Sequence, residues 1–275
     1  MADNRASMHA IALLTQHGKQ SAVEGPLQEA GFSVSTISGF DTDRLGTFTG
    51  TVARKGTQVD AAASKAKLAT ELSGWRFGLG SEGSFGPDPY TGMIPWGREV
   101  LAFWDAPAQR LICAAVQGHE TNYRQITVQD WNDAADFASA IGFPAHGLII
   151  GKPGQTGFDK DCKDLAALED QVQLALQGGP VELETDMRAH RNPTRMRMIR
   201  RCAERLSHRL RSNCPDCASY GFGEESPIAG APCESCGLPT HAIMAKNIRC
   251  DVCGHSQRVD LVQSVPASRC NYCNP

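Results

Sequence analysis

The sequence has no apolar run approaching the roughly 18 residues that cross a bilayer as a helix. Its opening, MADNRASMHAIALLTQHGK, holds only a short apolar stretch with no small-residue cleavage site behind it, which argues against a secretory signal. The first 185 residues contain no internal repeat, which argues against a repeat architecture. After Cys214, positive charge is sparse (Lys246, Arg249, Arg258, Arg269) and so are aromatics (Tyr220, Phe222, Tyr272). A nucleic-acid reader usually shows a basic face with aromatics, so this tail fits a structural cap or a protein-docking module at least as well. A large excess of either charge sign is also missing, the formal net charge being −3. Together these absences predict a soluble, cytoplasmic protein with no membrane partner.

What is present is ordinary globular material with one exception. At 275 residues, 41% hydrophobic and 21% charged, the chain can bury one sizeable core and carry a small appendage. The exception is cysteine. Of eleven, Cys113, Cys162 and Cys202 are scattered, while the other eight form four C-x-x-C pairs after residue 213. CPDC (214–217) and CESC (233–236) are separated by fifteen residues, and CDVC (250–253) and CNYC (270–273) by sixteen. This is a zinc-ligand spacing rather than a disulfide framework. A two-residue gap turns both thiolates of a pair toward one ion, and two pairs complete a tetrahedron. The expected ligands are therefore Cys214, Cys217, Cys233, Cys236, Cys250, Cys253, Cys270 and Cys273, holding two structural zinc ions. Pairing first with second and third with fourth is the simplest scheme; an interleaved scheme is the alternative. So short a segment buries little core, so metal binding supplies most of its folding energy.

Upstream, strand and helix patterns alternate. Strands are expected at 9–15, 32–37, 48–54, 146–151 and 181–185, with a strand running into a Gly/Pro loop over 76–89. VLAFWD (100–105) and RLICAAV (110–116) flank a turn and read as a hairpin. Helices are expected at 20–30, 58–72, 130–141, 161–177 and 193–211. The fold class is α/β, with a mixed central sheet flanked by helices over residues 9–212, followed by a zinc-ribbon module over 213–275.

Four stretches of the first domain carry chemistry. In LLTQHGK (13–19) a strand ends where a helix begins, a place where backbone N–H groups and the helix dipole favour an anion, with Lys19 adding a point charge. In GLGSEGSFGP (78–87), Glu82 sits among glycines, where a carboxylate can hold Mg²⁺ or the stretch can be a plain turn. FASAIGFPAHGLII (137–150) contains a Gly-Phe-Pro turn that either shapes a base pocket or connects helix to strand. Last, ETDMRAHRNPTRMRMIRR (184–201) packs Arg188, Arg191, Arg195, Arg197, Arg200 and Arg201 with His190 around Asn192-Pro193. Pro193 suits the first turn of a helix. The arginines then form a phosphate pocket or a solvated helix face.

The order of these stretches resembles the inosine/xanthosine triphosphate pyrophosphatase superfamily, which includes the Maf-like proteins. Thr15…Lys19 resembles its opening Thr/Ser-to-Lys turn, AAASKAKLA (61–69) its Ala/Lys-rich helix, Ser81-Glu82-Gly83 its acidic turn, Gly142-Phe143-Pro144 its Gly-Phe turn, and Ala189-His190-Arg191 its Ser-His-Arg. The chain keeps one acidic residue where many members have two, and its Gly-Phe turn has no following Asp. It also resembles an uncharacterised bacterial family with a GFDTDR…GTFTG and SEGSFGP signature and a cysteine-rich tail. The first resemblance implies a Mg²⁺-dependent nucleotide phosphohydrolase or pyrophosphatase, with Glu82, Lys19, Asp41 and Asp43 catalytic. It further implies that Thr15, His17, Lys19, His190, Arg191 and Arg195 contact nucleotide or phosphate. The alternative is a non-catalytic nucleotide- or nucleic-acid-binding protein whose zinc module docks a protein partner.

Overall fold

The computed structural model describes residues 8–15, 18–37, 56–151 and 162–274. His17, Asp41, Asp43 and the strand expected at 48–54 lie outside these residues. The chain divides into two compact units, Met1–Arg205 and Leu206–Pro275.

The first unit is built on a five-stranded sheet in the order β2-β1-β3-β4-β5, from β1 (His9–Leu14), β2 (Phe32–Ile37), β3 (Phe77–Pro87), β4 (Pro95–Asp105) and β5 (Arg110–Gly118). β1 runs parallel to both β2 and β3, and β3, β4 and β5 form an antiparallel meander. The sheet is therefore mixed, as expected. Helices α1 (Gln20–Glu29) and α2 (Gln58–Ser73) make the two parallel crossovers. They leave toward opposite edges of the sheet, and right-handed crossovers then lie on opposite faces.

The Gly-rich stretch expected to end in a loop is strand as far as Pro87. Two of its glycines serve packing against α2. A Cβ at Gly78 would collide with the carbonyl of Ala66, and one at Gly80 with that of Ala62. Glycine on the strand and alanine on the helix (Ala62, Ala66, Ala69, each fully buried) let the two backbones approach closely. α2 starts with a capping box between Thr57 and Asp60 and ends at Gly74 in a left-handed conformation.

A second, antiparallel sheet follows in the order β6-β8-β7, from β6 (Gln125–Val128), β7 (Leu148–Gly151) and β8 (Val181–Thr185). Helices α3 (Trp131–Ile141) and α4 (Leu165–Leu176) share its core, which includes Val128, Phe137, Ile150, Leu168, Val172 and Leu183. β6 was not among the expected strands. From β8 the chain passes through a single 3-10 turn, Ala189–Arg191, into α5 (Pro193–Arg211). Asn192, fully buried, caps α5: its Oδ1 accepts from the Arg195 N–H at 2.9 Å, and its Nδ2 donates to Asn122 Oδ1 at 2.9 Å and Asp186 O at 3.1 Å. α5 lies against the five-stranded sheet through Cys202, whose thiol meets the carbonyl of Ala114 at 3.2 Å. Burial pushes the Cys202 thiol up to about 12, so it is inert packing.

The second unit is an antiparallel meander of β9 (Glu224–Ala229), β10 (Ile243–Arg249) and β11 (Ser256–Asp260), with the C-x-x-C pairs before and after its strands. Among the described residues no helix is long and apolar enough to cross a membrane.

Candidate functional site

The parallel part of the main sheet creates one privileged place. β1 ends at Leu14 while its parallel neighbour β3 runs on to Pro87, so the chain leaving the carboxyl end of β1 passes beside the middle of β3, at Ser81 and Glu82; carboxyl ends of parallel strands are where α/β sheets bind ligands. Thr15 follows β1 there, and Lys19 is the cap residue that precedes α1. Lys19 is 7% exposed and donates from Nζ to Ser81 Oγ, itself 3% exposed, at 3.1 Å. Side chains alternate along β3, so Ser81 and Gly83 face one side and Gly80 and Glu82 face α2.

On the Ser81 side, Glu99 from β4 binds Arg195 from α5, Oε1 to Nε at 2.5 Å, with both side chains 1% exposed. Arg195 also donates to the carbonyl of Met187 and lies over the Phe85 ring at 5.1 Å. Gly83 is required here: a Cβ would come within 2.5 Å of Glu99 Oε1 and 2.6 Å of Arg195 Nη2. Glu99 Oε2 is buried and accepts no hydrogen bond among the described residues. On the α2 side, the buried Glu82 carboxylate is held by Lys65 at 2.6 Å.

Three cations, Lys19, Lys65 and Arg195, thus surround two carboxylates, Glu82 and Glu99, close enough for all four others to act on Lys19. Burial lowers the Lys19 amine from its ordinary 10.5 to about 7; Arg195 and Lys65 push the same way, and Glu99 and Glu82 oppose them. Protonated, the amine gives the cluster a net positive charge suited to an anion. Neutral, it can accept a proton from a hydroxyl such as Ser81 or from water.

The other expected residues divide. His190 is exposed on the 3-10 turn beside Gly18, whose Cβ position is 3.8 Å from the His190 Cβ. It therefore borders the Lys19 loop. Arg191 serves the framework: its guanidinium donates to Cys162 O at 2.8 Å and its carbonyl accepts from the Gly147 N–H at 2.7 Å. Glu82 differs from the open metal ligand expected of it, because its carboxylate already neutralises Lys65; holding Mg²⁺ there requires that pair to open. Lys65 and Glu99 were not singled out from the sequence, and Ser81 was named only as a neighbour of Glu82 in the acidic turn. Their contacts span 17, 62 and 96 positions, and only the alternation of β3 and β4 hints at them. Two clefts lie elsewhere in this unit. One, of about 350 Å³, is lined by Pro87, Met93, Ile94, Ile126 and Phe137. The other, of about 410 Å³, lies along α5.

In the second unit the cysteines gather as Cys214, Cys217, Cys250 and Cys253, and as Cys233, Cys236, Cys270 and Cys273. The pairing is interleaved, which corrects the simpler sequential scheme. The meander is the reason. Each strand carries the chain to the opposite end of the sheet, so the first and third pairs share one end and the second and fourth the other. Arg249 lies opposite Glu224, and Asp260 opposite Ala245, as this requires. Within each group the short sulfur–sulfur distances are 3.7 Å (Cys214–Cys253, Cys217–Cys250), and 3.9 and 3.7 Å (Cys233–Cys273, Cys236–Cys270). A tetrahedron with 2.3 Å metal–sulfur bonds has edges of about 3.8 Å, so both groups are placed to hold a metal ion. In each pair the first cysteine is buried and the second exposed, and the first three pairs end on a left-handed residue, Ala218, Gly237 or Gly254.

The chain belongs to the family described as Domain of unknown function (DUF6671), whose model matches residues 65–275. That span includes Lys65, Glu82, Glu99, Arg195 and all eight paired cysteines, and begins after Lys19. No curated protein and no solved structure matches the chain. Nothing in these comparisons supports the resemblance to the inosine/xanthosine triphosphate pyrophosphatase superfamily.

Proposed function

We propose that the first unit binds a phosphorylated small molecule, of nucleotide type, at the carboxyl end of β1, beside Ser81 of β3. The single observation that carries this reading is Lys19, an ammonium buried at the carboxyl end of β1 with, among the described residues, one hydrogen bond, to Ser81, for its three donors. Burying that charge is unfavourable in the free protein. An anionic ligand offsets the cost, and the start of α1 adds backbone donors beside it. Titration calorimetry with nucleoside mono-, di- and triphosphates tests the proposal. Binding to the wild type that is lost in Lys19→Met supports it; no binding at millimolar ligand, or equal binding by the variant, overturns it.

Hydrolysis of a phosphoanhydride is the second reading, favoured by the amine's titration near neutrality. In its neutral form Lys19 can take a proton from attacking water. Glu82 would supply the Mg²⁺ ligand only by releasing Lys65, so binding without turnover is preferred. Phosphate release from a nucleotide panel with Mg²⁺, absent in Glu82→Ala, would reverse that preference. For the second unit, the four-sulfur geometry supports two structural zinc ions with no open coordination position.

A further inference from the structure

The helix whose Arg195 enters the charged cluster presents a different row to the cleft of about 410 Å³, formed by Thr194, Arg197, Met198 and Arg201. These positions recur at helical spacing along one stripe. Arg197 and Arg201, the charged members of the stripe, lie about 200° and about 120° around α5 from Arg195, so the two guanidiniums point away from the cluster that Arg195 enters. The facing wall is Glu120, Thr121 and Asn122, the segment that follows β5.

We propose that this cleft is a second anion site, separate from the Lys19 cluster, that takes a small ligand carrying one phosphate together with hydroxyl or amine groups. Its frame is built. Asn122 is joined to the buried helix cap Asn192 at 2.9 Å, which fixes the wall against the first turn of α5. Thr194 Oγ1 is held between His146 Nε2 at 2.9 Å and Arg197 Nη2 at 3.0 Å. Burial, aided by Arg197, holds the His146 imidazole below its usual range, so it supports Thr194 in neutral form.

The recognising groups are the two guanidiniums. Arg197 directs a hydrogen bond to Thr194, and Arg201 one to Glu120. Each guanidinium has five N–H donors in a fork that matches phosphate oxygens in pairs. The Arg201–Glu120 pair is 55% and 63% exposed, a class of ion pair that contributes little and exchanges readily. A phosphate can therefore take Arg201 from Glu120. The freed carboxylate accepts from a hydroxyl or amine of the same ligand, and it repels a second phosphate. That combination selects a phosphomonoester over a polyphosphate. The cleft volume falls in the range of small-molecule sites.

The test uses the full metal-loaded chain, titrated calorimetrically at low salt with inorganic phosphate and with AMP. Variants are Arg197→Ala/Arg201→Ala, Glu120→Gln and Lys19→Met, with circular dichroism confirming that each folds. The expected result is at least about tenfold weaker binding at one of two sites in the double arginine variant. Glu120→Gln tightens inorganic phosphate several-fold, and Lys19→Met leaves this site intact. Phosphate binding that Lys19→Met alone abolishes, with the double variant unchanged, overturns the second site and leaves the Lys19 reading standing. Binding that the double variant alone abolishes supports the second site and removes the first. No heat with either ligand up to about 10 mM overturns both.

Discussion

Lys19→Met should make the first unit more stable while removing its ligand binding. The fall of the amine from 10.5 to about 7 corresponds to roughly 5 kcal/mol spent on keeping Lys19 charged in the folded state, taken as a ceiling. Methionine removes that term, but the variant loses the Ser81 hydrogen bond and leaves the buried hydroxyl without its donor, about 1–3 kcal/mol together. A net gain of about 2 kcal/mol remains below pH 7, where the amine is charged in both folded and unfolded chains. Between pH 7 and 10.5 only the unfolded chain holds the proton, so wild-type stability rises with pH and the advantage of the variant falls by about 1.4 kcal/mol per pH unit. It should vanish near pH 8.5. For a unit of this size, 2 kcal/mol moves Tm by about 4–8 °C. Thermal unfolding of both chains at pH 6 and pH 9 reads this directly. A variant less stable than wild type at pH 6, or a difference that does not change with pH, would refute the reasoning and make Lys19 an ordinary structural residue.

Three further outcomes follow from the geometry. Ala218 holds φ at 57° where Gly237 and Gly254 occupy the equivalent position, so Ala218→Gly should stabilise the second unit by about 1 kcal/mol, measurable by thermal unfolding with metal bound. Gly83→Ala should destabilise the first unit by about 1–3 kcal/mol in urea unfolding, because its methyl displaces the Glu99–Arg195 pair, whereas Gly86→Ala, which meets nothing within 4 Å, should be nearly neutral. Interleaving predicts metal content by native mass spectrometry: Cys214→Ser/Cys253→Ser should lose one ion and keep the other, while Cys214→Ser/Cys270→Ser should compromise both.

The alternation of strands and helices was legible because burial imposes periods of two and 3.6 on the sequence. β1, β2, α1, α2, α3 and α5 fall within a residue or two of where those periods put them. β6 escaped because QITV is four residues at a sheet edge, three of them exposed, and edge strands carry little pattern. The stretch 76–89 read as a strand running into a loop because glycine signals both turns and close packing, and at Gly78 and Gly80 only the facing alanines of α2 decide between them. Lys19 drew notice as a lysine at a helix start, but its burial, and its company with Ser81, Glu99 and Lys65, depend on contacts that no local pattern encodes. The cysteines announced two metal sites and concealed their pairing, since gaps of fifteen and sixteen residues are compatible with either scheme. The strand count between pairs, which decides it, lay in short half-polar strands.

The meander that interleaves the cysteines also makes each site span the other. A protease nick between Cys236 and Cys250 would leave two fragments, each supplying half of both quartets, so two ions would still staple them together. The same wiring prevents a half-length module: a chain ended after Cys253 keeps one quartet whole and the other halved. Chelator should therefore release the cut fragments only after both ions are gone, because either quartet alone still joins the two halves.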